Sequence, residues 1–252
     1  MENMHLIKSK FFTAFMAAGL FILATTAKAQ VQPAQHKAVF SQSLKAGDVV
    51  TAIQAANYIV AADAKSSFKD SLAILYYNAG NLSAAYYWAA GVLKDKPASP
   101  EMMEVKAHCL KNSNNSLKAI DAFTDLLKVK PNAVYSYELM NLQYSVQRLL
   151  ECATLGQQTL QSIKIDSTIG VSYSIDGKTS RQTPLKAAIY NVFGMALSDL
   201  KKLPEAQQAF EQALLIDKDY AMAQKNLETV KLLKQALEKP ADEKKDKEKP
   251  NR

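Results

Sequence analysis

The chain has 252 residues, of which 48% are hydrophobic and 22% are charged, and it contains only 8 Gly and 8 Pro. This composition excludes a chain that is disordered throughout, and the scarcity of turn-forming residues argues against a β-sandwich or an α/β enzyme of this length. Helix-forming Ala, Leu, Lys and Gln are abundant instead. The formal charge of +7 comes without any aromatic-basic motif typical of RNA or DNA binding, so nucleic acid is not an expected partner.

Residues 1–29 have the pattern of a secretory signal peptide. Two lysines precede an apolar run at residues 11–24, and Ala27 and Ala29 supply a signal-peptidase site, which makes Gln30 the expected new N-terminus. The alternative is an uncleaved anchor, but about 14 apolar residues fall short of the ~20 needed to span a bilayer. Cleavage removes three lysines and one glutamate and lowers the formal charge from +7 to +5. The sequence predicts a periplasmic or secreted protein with no transmembrane span in the mature chain.

One alanine recurs through the rest of the chain with a period of about 34 residues. The first three intervals are nearly equal, and the last is longer by more than half a period. In two copies a phenylalanine follows four residues later on the same helical face, at Phe123 and Phe210. The pattern therefore predicts five helix pairs with an insertion before the fifth, marked by Ala52, Ala85, Ala119, Ala153 and Ala206.

A turn signal precedes the recurring alanine in three copies. Each signal can end the first helix of a pair and cap the second, because its first residue tolerates a left-handed conformation and its second has a capping side chain. The three pairs are Gly47-Asp48, Gly80-Asn81 and Asn114-Asn115. They indicate that each period is a helix, a tight turn and a second helix.

These residues resemble the tetratricopeptide repeat (TPR) family, whose repeat is a helix–turn–helix unit of about 34 residues. The copy at about 187–219 matches best, with Tyr190, Gly194, Leu197, Phe210 and Ala213 in register. The resemblance implies an all-α fold, a right-handed superhelical solenoid of about five repeats with a C-terminal capping helix.

The expected solenoid covers residues 33–237 and ends in a helix at 220–237. A two-helix unit cannot bury its own apolar face, so neighbouring pairs must stack and the last pair must be covered. The covering helix has an apolar stripe that consists of Leu227, Val230, Leu233 and Leu237. The charged segment that follows, at 238–252, is predicted to be disordered.

The insertion at about 167–185 does not have the pattern of a helix. Val171, Tyr173 and Ile175 alternate with serines and precede an Asp-Gly pair, which predicts a small β-hairpin. The alternative is a mobile polar loop. Because an isolated hairpin is marginally stable in water, a hairpin here should pack on the repeats or on a partner.

An aromatic cluster at Tyr86, Tyr87 and Trp88 leaves two interpretations open. It can be a docking patch, because aromatic residues are frequent at binding hot spots. It can equally be part of the packing of its helix, since Ala85 and Ala89 flank it on the buried side.

No motif for catalysis, a cofactor or a metal ion is present. The chain lacks a phosphate-binding loop, a nucleotide-binding glycine pattern and an HExxH zinc motif. His108 precedes Cys109, but neighbouring side chains on a helix point apart and no third group orients them. Cys109 and Cys152 leave two alternatives, a disulfide in an oxidising compartment or two small buried thiols.

In TPR proteins the first helices line a groove that receives peptides or partner helices. By resemblance, the partner-binding residues here are Asp70, Ile74, Tyr77, Glu101, Glu104, His108, Tyr135, Glu138, Leu142, Asn191, Met195 and Asp199. The set is acidic with aromatic anchors, which suits a basic or amphipathic protein segment. The sequence therefore predicts a non-catalytic scaffold or adaptor outside the cytoplasm. The alternative is an accessory subunit of a cell-envelope complex that contacts membrane or cell wall.

Overall fold

A computed structural model describes residues 33–175 and 177–238, which form eleven helices and one two-stranded sheet. The first helices of the five pairs are α1 (Pro33–Ala46), α3 (Phe68–Asn78), α5 (Pro100–Asn112), α7 (Ala133–Ser145) and α9 (Leu185–Asp199). The second helices are α2 (Val49–Ala62), α4 (Leu82–Asp95), α6 (Ser116–Val129), α8 (Leu149–Ser162) and α10 (Leu203–Ile216), and α11 (Ala221–Glu238) follows them. The predicted signal peptide and all of the charged tail except Glu238 lie outside the described residues.

A residue in the left-handed conformation follows the first helix of every pair. These residues have φ between +57° and +76° and are Gly47, Gly80, Asn114, Gln147 and Lys201. In two pairs the next side chain caps the second helix. The Asp48 carboxylate accepts a hydrogen bond from the Thr51 N–H at 3.0 Å, and Asn81 Oδ1 accepts one from the Ala84 N–H at 3.1 Å. The predicted turns are confirmed.

The recurring alanine is buried in all five pairs, which confirms the period. Phe123 and Phe210 are also fully buried. Gly194 lies directly against the Phe210 ring, so a small residue on a first helix allows the second helix to approach closely. The predicted all-helical repeat fold is thus confirmed in the described part of the chain.

The described part of the chain divides into two compact units, with the boundary between Trp88 and Ala89. In the first unit α2 contacts both α1 and α3, and its buried Ala56 and Val60 pack with Leu72. Phe40 and Phe68 meet edge to face with their ring centroids 4.9 Å apart beside this cluster.

The aromatic cluster at the end of the first unit serves packing in part. Trp88 packs on the buried cluster of Ala56, Val60 and Leu72, whereas Tyr87 is 68% exposed. The packing interpretation therefore holds for Trp88, and the exposed Tyr87 ring remains available for contact.

In the second unit each helix from α5 to α11 packs on the next helix in the chain. The first helix α7 also contacts α9, and α9 also contacts α11. Successive pairs therefore stack, as the resemblance implies. A buried cluster formed by α7 to α11 includes Met140, Leu185, Ile189, Phe210 and Val230.

The insertion is a β-hairpin of β1 (Gly170–Ser174) and β2 (Ser180–Pro184), which confirms that prediction. The apolar residues of β1 are half-buried and its serines are exposed. The Tyr173 ring meets the Tyr220 ring with centroids 4.8 Å apart, so the hairpin packs on the repeats as expected. Because β2 ends at Pro184 and α9 begins at Leu185, the hairpin leads directly into the fifth pair.

The capping helix differs from its prediction at the C-terminal end. Val230 is buried and Leu227 is half-buried, but Leu233 and Leu237 are 42% and 77% exposed. The prediction of a continuous buried stripe is therefore wrong for these two residues. α11 packs on α9 and α10, and no later helix in the described chain covers its outer side, so Leu227 and Val230 join the buried cluster whereas Leu233 and Leu237 do not.

Candidate functional site

Three first helices of the second unit carry nine of the twelve predicted partner-binding residues. We call the surface formed by α5, α7 and α9 the first-helix face. The nine residues are Glu101, Glu104 and His108 on α5, Tyr135, Glu138 and Leu142 on α7, and Asn191, Met195 and Asp199 on α9.

The first link across this face joins Tyr135 to Glu104. The Tyr135 hydroxyl donates a hydrogen bond to the Glu104 carboxylate at 2.5 Å, and Lys130 Nζ lies 3.9 Å from the same carboxylate. Burial raises the pKa of the Tyr135 hydroxyl, and the bond to Glu104 raises it further, so the group keeps its proton. Since Tyr135 is only 5% exposed, it ties α7 to α5 and does not present its ring to solvent.

A second link joins the same two helices through charge. Lys111 Nζ donates to the Glu138 carboxylate at 2.5 Å, and both side chains are partly buried. His108 lies beside this pair with its ring edge against Phe123, 5.2 Å between centroids. Burial lowers the pKa of His108 although Glu138 acts in the opposite direction, so its imidazole is neutral at pH 7.

A third link joins α7 to α9. The Tyr144 hydroxyl donates to the Asp199 carboxylate at 2.8 Å. Burial, followed by the bond to Asp199, raises the pKa of Tyr144 to about 12.

A fourth link joins α9 to α11. The amide of Asn226 on α11 donates to Asn191 Oδ1 at 2.9 Å. We call these four links the cross-repeat ladder, because each joins a first helix to the next first helix or to α11.

Several of the predicted partner-binding residues are used in contacts between helices of the cross-repeat ladder. Three of the nine are buried and do not offer their side chains to a partner in this structure: Tyr135, Leu142 and Asn191. The exposed or half-buried members are Glu101, Glu104, His108, Glu138, Met195 and Asp199. The surface that remains is therefore dominated by carboxylates, and their role in partner binding stays a prediction.

The other three predicted residues lie on α3 in the first unit. Ile74 is 40% exposed, and Asp70 and Tyr77 are half-buried. The neighbouring Tyr76 accepts a hydrogen bond on its hydroxyl oxygen from the Asn57 amide at 3.2 Å, which ties α3 to α2.

The ladder also includes residues that the sequence interpretation missed. Lys111 lies seven residues after Glu104, which places both on one helical face, and this spacing could have indicated it. Tyr144 and Asn226 were not predicted either. Neither residue has a sequence pattern that indicates its partner, because both partners lie on other helices.

The two cysteines are separate buried thiols. Burial raises the pKa of Cys109 to about 11 and that of Cys152 to about 12. Within residues 33–175 and 177–238, no group of three or more His, Cys, Asp or Glu side chains is arranged to hold a metal ion. In the same residues no helix combines the length and the apolar character needed to cross a membrane.

Comparison with known proteins finds one matched repeat and several solved structures of similar fold. Residues 187–220 match the tetratricopeptide repeat family, whereas a search of curated proteins finds no match. Among solved structures, MamA is 16% identical with a TM-score of 0.58, over 75% of this chain and 93% of that chain. A tetratricopeptide repeat protein from Parabacteroides merdae is 11% identical with a TM-score of 0.58, over 81% of this chain and 73% of that chain.

A third solved structure is YrrB, described as "a TPR protein with an unusual peptide-binding site". It is 15% identical with a TM-score of 0.57, over 74% of this chain and 87% of that chain. At these identities the likeness to the three solved structures lies in the fold alone. The chain therefore contains one matched tetratricopeptide repeat, at residues 187–220, and shares the fold of solved TPR proteins.

Proposed function

We propose that the chain is a non-catalytic scaffold that acts outside the cytoplasm and binds a basic or amphipathic segment of a partner protein on the first-helix face. The TPR fold indicates a protein–protein interaction scaffold, and YrrB is a TPR protein with a peptide-binding site. The observation that carries the choice of partner is the row of carboxylates on this face. It consists of Glu101, Glu104, Glu138 and Asp199.

The predicted residues on this face are opposite in charge to the whole chain, which has a formal charge of +7. Their four carboxylates are accompanied by two cations in contact with them, Lys111 and Lys130. Lys106 of α5 and Lys186 of α9 lie on the same helices, so the excess of negative charge belongs to the predicted residues and not to the three helices as a whole. A local field of this kind steers a positively charged segment to one surface and raises its association rate more than its intrinsic affinity.

Export is supported by the pattern at residues 1–29. Expression in a bacterial host followed by mass spectrometry of the exported protein is expected to give a chain that begins at Gln30. Recovery of a chain that retains Met1 would contradict the assignment to a compartment outside the cytoplasm.

The partner class is tested by charge reversal at an exposed carboxylate. The probe is an amphipathic helical peptide of leucine and lysine, added to the mature chain and followed by fluorescence anisotropy at low and high salt. Glu101→Lys should raise the Kd about tenfold at low salt, or ~1.4 kcal/mol. Asp121→Lys on α6 makes the same charge change at another exposed position and should leave the Kd within about twofold. An equal loss in both variants would contradict binding on the first-helix face.

Deletion of residues 240–252 separates this proposal from the envelope-surface alternative. The segment has nearly balanced charge, so it should steer poorly toward anionic lipid or cell-wall polymer. Peptide binding should therefore stay within about threefold, under ~1 kcal/mol. Loss of binding on deletion, with no effect of Glu101→Lys, would favour the envelope-surface alternative.

A further inference from the structure

The second helices of the second unit form a surface distinct from the first-helix face. We infer that α6, α8 and α10 form a second docking surface, which takes an uncharged, extended segment of a partner protein. The inference goes beyond the proposed function, because it concerns other helices and a different chemical class of segment. It starts from two clefts that lie on either side of α8.

The first cleft lies between α6 and α8 and has a volume of about 540 Å³. Its walls include Leu127 of α6 and Leu155 of α8, and its most buried lining residues are Leu139 and Gln143 of α7. A cleft of this size lies within the range of small-ligand and peptide-side-chain sites. The cleft is therefore large enough for at least one apolar side chain together with the adjoining main chain.

One buried polar atom in this cleft lacks a hydrogen-bond partner. Gln143 is 5% exposed, and its Oε1 accepts no hydrogen bond from any part of the chain that the structure describes. A buried acceptor without a donor is unfavourable, so natural folds rarely retain one without a role. The oxygen is closed to solvent in this structure, so a backbone N–H of a segment bound over Leu139 would satisfy it once the Gln143 side chain turns toward the cleft.

The second cleft lies between α8 and α10 and has a volume of about 500 Å³. Phe193 and Leu197 of α9 and Leu160 of α8 contribute its apolar lining. Leu150 and Thr154 of α8 line both clefts. Since Leu150 is 65% exposed, it forms an apolar ridge between the two clefts, and one segment crossing α8 would contact both.

The sequence explains why the second cleft is open. Gln157 occupies the slot that holds Phe123 and Phe210 in two other pairs, and its side chain is exposed on the cleft. The preceding Gly156 packs so tightly that an added Cβ would lie 3.1 Å from the Phe193 ring. The fourth pair therefore lacks the aromatic side chain that fills this slot in the third and fifth pairs.

The charge of the two clefts selects against a charged segment. The first contains one cation and one anion, Lys128 and Glu151, and Lys128 is already bonded to Asp125 at 2.8 Å. The second contains Lys202 and Glu205. Because each cleft is neutral in sum, electrostatic attraction of a charged segment is weak.

Most of the remaining polar side chains on the second cleft are amides, and the others are the hydroxyls of Thr154 and Tyr190. The amides belong to Gln157, Gln161, Gln208 and Gln212. Each amide both donates and accepts, as a peptide main chain does, so an extended segment can pair with them. The stretch of α8 from Leu150 to Gln161 is about 17 Å long, which corresponds to roughly five residues of extended chain.

The test is a selection with a displayed library of random seven-residue peptides. The full mature chain is the target, and peptides that also bind the Leu150→Glu variant are removed. We expect enriched peptides that are poor in Lys, Arg, Asp and Glu and that alternate apolar with polar residues. Enrichment of basic peptides, or of no peptide that distinguishes the two proteins, would overturn the proposal.

Synthetic copies of the enriched peptides locate the site. Leu150→Glu should weaken binding at least tenfold. Leu117→Glu is the matched control, because Leu117 is likewise the second residue of a second helix, is 57% exposed and does not line either cleft. It should leave the Kd within about twofold, as should Glu101→Lys on the first-helix face. A loss confined to Glu101→Lys would assign the peptides to the first-helix face and overturn the second surface.

The role of Gln143 has its own measurement. N-methylation of one peptide bond in the enriched peptide should weaken binding to the wild-type chain at least tenfold, since it removes the donor. Gln143→Leu retains an apolar side chain of similar size, and its fold is checked by circular dichroism. In this variant the methylated and unmethylated peptides should bind equally. A penalty for methylation that persists in the variant would show that Gln143 does not accept the bond.

Discussion

Gly194 of α9 lies against the ring of Phe210 on α10 so closely that a β-carbon at position 194 would fall 2.7 Å from Phe210 Cε1. Phe210 is 1% exposed, so its ring has no free space to move into. The corresponding first-helix positions hold Ala73 and Ala107, both fully buried. The contact shows that the closest helix approach in the fifth pair depends on the absence of a side chain.

Gly194→Ala should therefore destabilise the second unit by about 1–3 kcal/mol, because the added methyl group overpacks the contact. The matched control is Gly91→Ala on α4, where a β-carbon would meet nothing within 4 Å. That change should be neutral or stabilising by up to about 1 kcal/mol, as alanine favours helix. Urea unfolding followed by circular dichroism measures both. Equal midpoints would mean that Phe210 can yield at little cost.

Enlarging the recurring alanine should also destabilise the fold. Ala119 and Ala206 are both fully buried, so Ala119→Leu and Ala206→Leu should each cost about 1–3 kcal/mol. Lys231→Ala on the exposed side of α11 should stay within roughly ±0.5 kcal/mol. Urea midpoints that do not separate the two classes would mean that the register of the repeats is wrong.

The bond between Tyr144 and Asp199 should contribute measurable coupling between α7 and α9. In a double-mutant cycle of Tyr144→Phe and Asp199→Asn, the coupling energy should be about 0.5–1.5 kcal/mol, because the bond is charge-assisted but partly exposed to water. The four proteins are compared by urea unfolding at pH 7. Strictly additive effects would show that the link between these helices contributes nothing to stability.

The two thiols should resist modification until the chain unfolds. Cys109 and Cys152 are buried, and their pKa values are about 11 and about 12. At pH 8 almost no accessible thiolate therefore exists. A thiol reagent should label both within minutes in urea and neither in the native chain. Rapid labelling of the native chain would contradict their burial.

The raised pKa values of the two cysteines also make the stability of the fold depend on pH in the alkaline range. The folded pKa values of Cys109 and Cys152 lie above the ordinary value of 9.0. Each thiol therefore contributes stability that is fully present below pH 9 and is lost as the pH rises through the folded pKa values. The urea midpoint should fall between pH 9 and pH 11, and by less in the Cys109→Ala variant than in the wild-type chain.

Asp48 should contribute to stability in acid. Hydrogen bonds from Thr51 lower the pKa of the Asp48 carboxyl below its ordinary value of 3.8. Its contribution is present above pH 3.8 and is lost as the pH falls through the lower folded pKa. Asp48→Asn keeps a capping oxygen that does not titrate. The loss of helix signal between pH 4 and pH 2 should therefore be smaller in the variant, and identical acid profiles would contradict a role for this cap.

The pattern of the sequence predicted the elements of the fold because each prediction rests on local chemistry. Backbone conformation at Gly47 and Gly80, the alternation in β1 and the buried alanines each follow from neighbours in the chain. The repeat period then applies the same local solution to each helix pair. For that reason the helix pairs, three of their five turns and the hairpin were predictable from one sequence, whereas Gln147 and Lys201 adopt the left-handed conformation without a turn signal.

The details of the site were less predictable, because they depend on the angle between successive pairs. Tyr135 and Asn191 occupy the register of partner-binding residues, yet both are buried by a neighbouring helix whose distance the sequence does not specify. The unpaired Gln143 oxygen likewise depends on how α6 and α8 diverge over α7. Side-chain pairing between repeats is a tertiary property, and register alone does not determine it.

In the cross-repeat ladder, partner binding and the contact between α5 and α7 depend on the same carboxylate chemistry. Glu138 can pair with Lys111 or with a partner's lysine, whereas Glu104 can keep its bond from Tyr135 and still neutralise a cation, as it does with Lys130. A cationic segment that takes Glu138 therefore loosens the tie between α5 and α7 as it binds. The binding free energy of such a segment therefore includes the cost of weakening the contact between α5 and α7. Backbone amide hydrogens near Tyr135 should exchange with solvent faster in the complex than in the free chain.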